Sequence, residues 1–197
     1  MAILTKKILL MSVAVTSYPE TIGWVFGHET ETTHGRYICV SNVHMCMESF
    51  DDHQFCEVVN EADLVVPDGM PLVWALKSLG EKQARQVRGS DLLLKVCAEA
   101  EKRSVPIGLY GGTPESLNDF QRFLTATFPR LQIPFSVSPP FRQLTDLEDA
   151  QYVDQLNDSG AKILFVGIGC PKQEKWMAAH KDRVRCVMIG VGAAFDF

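Results

Sequence analysis

A doubly wound α/β fold with a mostly parallel sheet is what the sequence predicts, on three observations. Strand-like and helix-like segments alternate from end to end at short spacing. No internal repeat, low-complexity tract or linker interrupts them, so 197 residues with 46% hydrophobic content form one domain, residues 1–197, able to bury a full core. Residues 161–174, AKILFVGIGCPKQE, hold one strand, one glycine-punctuated turn and the start of one helix. Together these predict a Rossmann-like sheet with right-handed crossovers.

Taken in order, residues 8–15 are read as the first strand. Two lysines precede this apolar run as in a signal peptide, but the run is only about eight residues, below the ~18 needed to cross a bilayer. Beyond Pro19, Ile22, Val25 and Phe26 share one helical face. Residues 36–40 form the next strand, ending in Ser41 and Asn42. Ser49 and Asp52 have capping-box spacing ahead of a helix that carries Phe55, Val58 and Val59 inward. Residues 63–66 make a third strand, stopped by Pro67, Asp68 and Gly69. The following MPLVWALKSLG is apolar enough for a buried helix, ended by Gly80. Ser90 suits the cap of a helix through Arg103, with Leu93, Leu94, Cys97 and Ala100 on its apolar side.

Residues 105–110 are a strand leading into Gly111, Gly112, Thr113 and Pro114. Leu117, Phe120, Leu124 and Phe128 then line a helix that stops at Pro129. Residues 132–137 read as a strand, and Thr145 with Glu148 as a capping box for a helix that turns Val153 and Leu156 inward. Residues 163–166, apolar and rich in branched side chains, suit a strand buried on both faces in mid-sheet. Gly167 and Gly169 permit positive φ or close backbone approach, and Pro171 suits a first helical position. Residues 186–191 close the series.

In such a sheet the loops after the strands gather on one edge, here collecting Asn42, Asp68, Gly111, Gly112, Gly169, Pro171, Lys172, Gln173, Glu174 and Asp196. Ligands bind at that edge of open parallel sheets, and helix N-termini attract phosphate, so a pyrophosphate-bearing ligand is expected at the turn before Lys172. Each feature also has an ordinary reading. Asp68-Gly69 is a common turn pair, Asn42 a helix cap, Gly111-Gly112 a tight turn, and Arg85 and Arg88 a solvated pair, although Arg88 sits just before a helix and could reach a phosphate.

A net charge of −5 argues against a generic nucleic-acid binder. The six cysteines form no CxxC pair and read as buried reduced thiols of a cytosolic protein. The histidines show no metal-ligand spacing. GIGCPK and GVGAAF lack the third glycine of a dinucleotide fingerprint, and neither a P-loop nor a GxSxG elbow is present. No DxD pair is present to hold a metal on a nucleotide-sugar pyrophosphate, so protein groups would have to stabilise a leaving diphosphate.

VSNVH at 40–44, ADLVVPDGMPLVW at 62–74, VRGSDLL at 87–93, GLYGGTPES at 108–116, VGIGCPKQEKW at 166–176 and IGVGAAFDF at 189–197 are similar, in order and spacing, to the bacterial WecG/TagA/CpsF glycosyltransferases, glycosyltransferase family 26. The likeness covers nearly the whole chain from about Ile8, and PDG together with PKQE is its most specific part. The resemblance implies transfer of an N-acetylmannosamine-type sugar from a UDP-sugar donor to a polyprenyl-diphosphate-linked acceptor, with inversion and without a metal or other cofactor. It places that reaction at the cytoplasmic membrane face, in synthesis of teichoic acid, common antigen or exopolysaccharide.

Carried onto this chain, the resemblance implies Asp68 as the base that takes the acceptor's proton, Asn42 as the group orienting the donor sugar and Gln173 as a contact to sugar or diphosphate. It assigns Asp196 to the nucleoside hydroxyls and Arg88 to the diphosphate. Val40 departs from a threonine common at that position, which puts the donor sugar's identity in question. The sequence also stops at Phe197, where the family continues into a basic, apolar, membrane-contacting segment. That implies a truncated chain able to self-associate through the uncovered surface; a short family member is the alternative. Two other classes stand beside the transferase: a metal-dependent phosphotransferase or nucleotidase, and a catalytically silent scaffold of a polysaccharide assembly complex.

Overall fold

The structure, a computed structural model, describes residues 3–28 and 34–195. Its main sheet has six parallel strands in the order β4-β3-β8-β7-β5-β6: β3 (Arg36–Ser41), β4 (Leu64–Pro67), β5 (Ile107–Gly111), β6 (Phe135–Val137), β7 (Ile163–Gly167) and β8 (Val187–Gly190). The helices are α1 (Tyr18–His28), α2 (Val43–Asp51), α3 (His53–Asn60), α4 (Met70–Ser78), α5 (Gly89–Arg103), α6 (Pro114–Thr127), α7 (Asp146–Ser159) and α8 (Lys172–His180). This is the α/β, Rossmann-like arrangement expected.

Alternate side chains of each central strand enter two separate cores. Ile38, Ile107, Leu109, Ile163, Phe165 and Ile189 pack with α1, α5 and α6 on one face. Tyr37, Cys39, Tyr110, Leu164, Val166 and Met188 pack with α2, α3, α4, α7 and α8 on the other. A strand covered on both faces has no polar side to present, which is why residues 163–166 read as an unbroken apolar run. Aromatic stacking fastens α8: the Trp176 ring lies 4.6 Å from Tyr110 and 4.1 Å from His180. The His180 Nδ1–H donates to the Trp176 carbonyl at 2.7 Å, and its Nε2 meets Asp149 Oδ1 at 2.7 Å.

Several elements differ from the sequence reading. Residues 8–15 are not a strand of the parallel sheet; β1 (Thr5–Ile8) and β2 (Met11–Ala14) form a separate antiparallel hairpin. Leu9 turns it with φ 51°, a conformation that a leucine does not advertise. Ser49 lies inside α2 and is buried, while Asp52 itself caps α3 through Oδ1, accepting from the Gln54 and Phe55 amides. The helix of residues 70–78 is buried on one side only: Trp74 is 61% exposed. Arg88, not Ser90, is the N-cap of α5, and Pro171 stands at the N-cap of α8 rather than at its first turn. The sixth strand begins at Phe135, three residues later than expected.

The run of connections reverses between β5, which goes on to β6 at one edge, and β7, which goes on to β8 the other way. Ligand crevices of open parallel sheets open at such a point. Gly111 (φ +135°) pairs with Gly167 there, and a Cβ on Gly111 would stand 2.3 Å from the Gly167 carbonyl oxygen. A Gly111→Ala substitution therefore combines a forbidden dihedral with a backbone clash, and it should lower stability by at least about 2 kcal/mol in equilibrium urea unfolding.

Candidate active site

Parallel pairing of β3 with β4 sets Ser41 opposite Pro67, so the two chains leave the sheet at the same level and Asn42 and Asp68 come out side by side. The Asp68 amide donates to the Ser41 carbonyl at 2.7 Å. Asn42 caps α2, its Oδ1 accepting from the Met45 amide at 3.1 Å. The capping reading of Asn42 is thus correct as far as its carbonyl goes. A Cβ on Gly69 would lie 3.7 Å from the Asn42 Cα, so the turn after Asp68 lies close over that cap.

The chain returns to Asp68 from further on. The Val87 amide donates to the Pro67 carbonyl at 2.8 Å, and the Gln86 side-chain amide donates to the Asp68 carbonyl. Arg88 follows as the N-cap of α5, whose first turn carries no side-chain cap, leaving the positive end of the helix dipole open at this edge. Gly89 packs against the Val191 carbonyl and Val40. The Tyr18 hydroxyl accepts from the Arg88 amide and donates to Asp91 Oδ2, each at 3.0 Å. Arg88 and Asp91 approach only to 4.0 Å, with the Arg88 side chain 59% exposed, so the guanidinium is weakly held.

Among the described residues no hydrogen bond or ion pair engages the Asp68 carboxylate. Half-burial pushes its proton affinity above the usual carboxylate range; the Arg88 charge opposes that rise and Asp91 adds to it. Sequence reasoning missed Tyr18 and Gln86, and no local signal could have found them: Tyr18 is 70 positions from the Arg88 amide it receives.

The second half of the edge is built from β5, β7 and β8. The Gly112 amide (φ +68°) donates to the Gly167 carbonyl at 3.1 Å, and the Phe195 ring lies where a Cβ on Gly167 would be, 2.6 Å away. Thr113 and Ser116 close the N-terminus of α6 with a capping box. At α8 the first turn is less open than the sequence implied. The Gln173 amide donates to the Gly169 carbonyl (Gly169 has φ +83°), and the Gln173 and Glu174 side chains are buried rather than presented outward; Lys172 is exposed. The Gln173 Nε2 donates to Glu174 Oε1 at 2.7 Å, and its Oε1 accepts from the Gly192 amide at 3.0 Å. Burial pushes the Glu174 carboxyl's proton affinity upward. Asp196 lies outside the described residues.

Two clusters thus meet across β8: Asn42, Asp68 and Arg88 on one side, and the Gly111, Gly112, Gly169 and Pro171 turns with Gln173 and Glu174 on the other. A cavity of about 360 Å³ lined by Ile3, Trp24, Asn60, Asp63 and Leu64 lies at the opposite end of β4 and shares none of these groups. Among the described residues, no three His, Cys, Asp or Glu side chains are grouped to hold a metal ion, and no helix is long and apolar enough to cross a membrane. A ¹³C NMR titration of the Asp68 carboxyl should give a midpoint above the ordinary aspartate range; Asp91→Asn should lower that midpoint and Arg88→Gln should raise it.

Comparison with known proteins supplies the relationship. Curated relatives from Staphylococcus aureus strains NCTC 8325 / PS 47, COL and MRSA252 carry the name N-acetylglucosaminyldiphosphoundecaprenol N-acetyl-beta-D-mannosaminyltransferase. Each is 26% identical over 167 residues, 84% of this chain. The chain spans 64% of the length of these relatives. The profile of the glycosyl transferase WecG/TagA/CpsF family matches residues 6–197, nearly the whole chain, and the chain belongs to that family.

Proposed function

We propose that the protein is an inverting glycosyltransferase that moves an N-acetylhexosamine, N-acetylmannosamine-like, from a UDP-sugar to a sugar carried on a polyprenyl diphosphate. The observation that carries this reading is Asp68. It is a half-buried carboxylate with no hydrogen-bond or ion-pair partner among the described residues, at the strand edge that holds Arg88 and the uncapped start of α5. Family membership and the acceptor in the relatives' names support the substrate class.

In the proposed reaction the acceptor hydroxyl oxygen attacks the anomeric carbon while the bond from that carbon to the diphosphate oxygen breaks. Its proton passes to the Asp68 carboxylate, whose raised proton affinity brings it nearer the working pH than a solvated aspartate would be. The bonding electron pair leaves on UDP. Arg88 and the open N-terminus of α5 oppose the charge that develops there, so the reaction proceeds without a metal. Asn42, with its carbonyl committed to the Met45 amide, has its side-chain NH₂ left to orient the donor sugar. Asp196 takes the nucleoside hydroxyls. The lipid-linked acceptor puts the enzyme at the inner membrane face as a peripheral protein, where copies of the chain associate.

Transfer assayed with UDP-N-acetylmannosamine and a polyprenyl-diphosphate acceptor in EDTA tests this directly. Asp68→Asn should lose roughly 10² to 10⁴-fold in transfer while UDP binding by calorimetry stays near native. Acceptor-independent, metal-dependent breakdown of the nucleotide sugar would instead establish a phosphotransferase or nucleotidase, and the absence of transfer, with or without UDP binding, a silent scaffold.

A further inference from the structure

We propose that Glu174 is a positioning residue whose buried carboxyl holds the Gln173 amide in the single orientation that ties the segment after β8 to the start of α8. Its effect on turnover rests on the glycosyltransferase reading above; the geometry does not. Glu174 is fully buried; among the described residues its Oε2 has no N–H or O–H partner, and the Cys170 thiol reaches the carboxyl as a weak donor. Its Oε1 accepts from the Gln173 Nε2 at 2.7 Å, and the Gln173 Oε1 accepts from the Gly192 amide at 3.0 Å. Turning that amide over would set oxygen against oxygen at one end and N–H against N–H at the other, so an acceptor at position 174 decides which way Gln173 faces.

The surroundings are shaped around this pair. Gly190 on β8 leaves room for Gln173: a Cβ there would stand 3.0 Å from Nε2 and 2.9 Å from the Met177 methyl. Gly192 (φ +62°) then starts the segment that sets the Phe195 ring against Gly167 and Gly112, over the paired ends of β5 and β7. The line from Glu174 through Gln173 and Gly192 to Phe195 therefore ties the start of α8 to the paired ends of β5 and β7. Burying a carboxyl that has no ion-pair partner among the described residues is costly, and an apolar side chain would fill the same space without that cost. What the carboxyl supplies that an apolar group does not is the acceptor.

Two variants separate this role from mere packing. Glu174→Gln keeps an acceptor oxygen for Gln173, while Glu174→Met keeps volume without one. Amide hydrogen exchange at Gly192 should stay within about threefold of native in Glu174→Gln and accelerate about tenfold or more in Glu174→Met, the effect of one buried hydrogen bond. In the transfer assay the methionine variant should raise the donor KM about tenfold with a much smaller change in kcat, and the glutamine variant should restore it.

Unchanged Gly192 protection in Glu174→Met, or equal damage in both variants, would overturn the proposal. Should Glu174→Met not fold, the scalar coupling across the hydrogen bond between Gly192 ¹⁵N and the Gln173 side-chain carbonyl decides: present in native and Glu174→Gln it supports the role, and absent in native it refutes it. If native protein neither binds UDP nor transfers sugar, the glycosyltransferase reading falls while the Gly192 measurements still decide this one.

Discussion

One-way pairing of the strands is the constraint on which the rest of this molecule depends. Because β4, β3, β8, β7, β5 and β6 all run parallel, each ends at the same edge, and the groups that follow them meet whatever their separation in sequence. The Ser41–Pro67 register then sets Asn42 beside Asp68, and the Val87–Pro67 hydrogen bond brings Arg88 back to them. A single reversed strand in the middle of this sheet would send its loop to the other edge. The central strands pay for that arrangement by being apolar on both faces, and the two cores that cover them hold the edge rigid.

Two carboxyls at this edge lie in opposite surroundings. Burial raises the proton affinity of both Asp68 and Glu174. Asp68, half-buried, sits within the fields of Arg88 and Asp91 and has no hydrogen-bonded partner among the described residues, as the proposed role of proton acceptor requires. Glu174 is closed off from solvent and committed to its neighbour's amide. The two carboxyls are thus distinguished by exposure and partners, and the roles proposed for them follow from that difference.

The sheet was legible because its signals are short-range: apolar runs of four or five residues, glycine turns, and the Thr145–Glu148 capping box, which forms as expected. The same local logic placed Asn42, Asp68 and the glycines of residues 111, 112 and 169 on one edge. It failed where the deciding interaction is distant or conformational. Residues 8–15 carry no sign that Leu9 will turn, and Ser49–Asp52 spacing could not reveal that Asp52 rather than Ser49 caps a helix. Nor could the PKQE stretch indicate that Gln173 would face Gly192, 19 positions away. Polar residues at a helix start look outward in sequence; only the room left by Gly190 turns this one in.

The most direct measurement is amide mapping by ¹H–¹⁵N NMR during titration with UDP in EDTA. A nucleotide-sugar site at the strand edge predicts shifts concentrated at Gly89, Gly111, Gly112 and Gly192, around Asp68 and the two clusters joined by β8. No shifts, or shifts confined to the cavity beside Asp63 and Leu64 at the far end of β4, would contradict it.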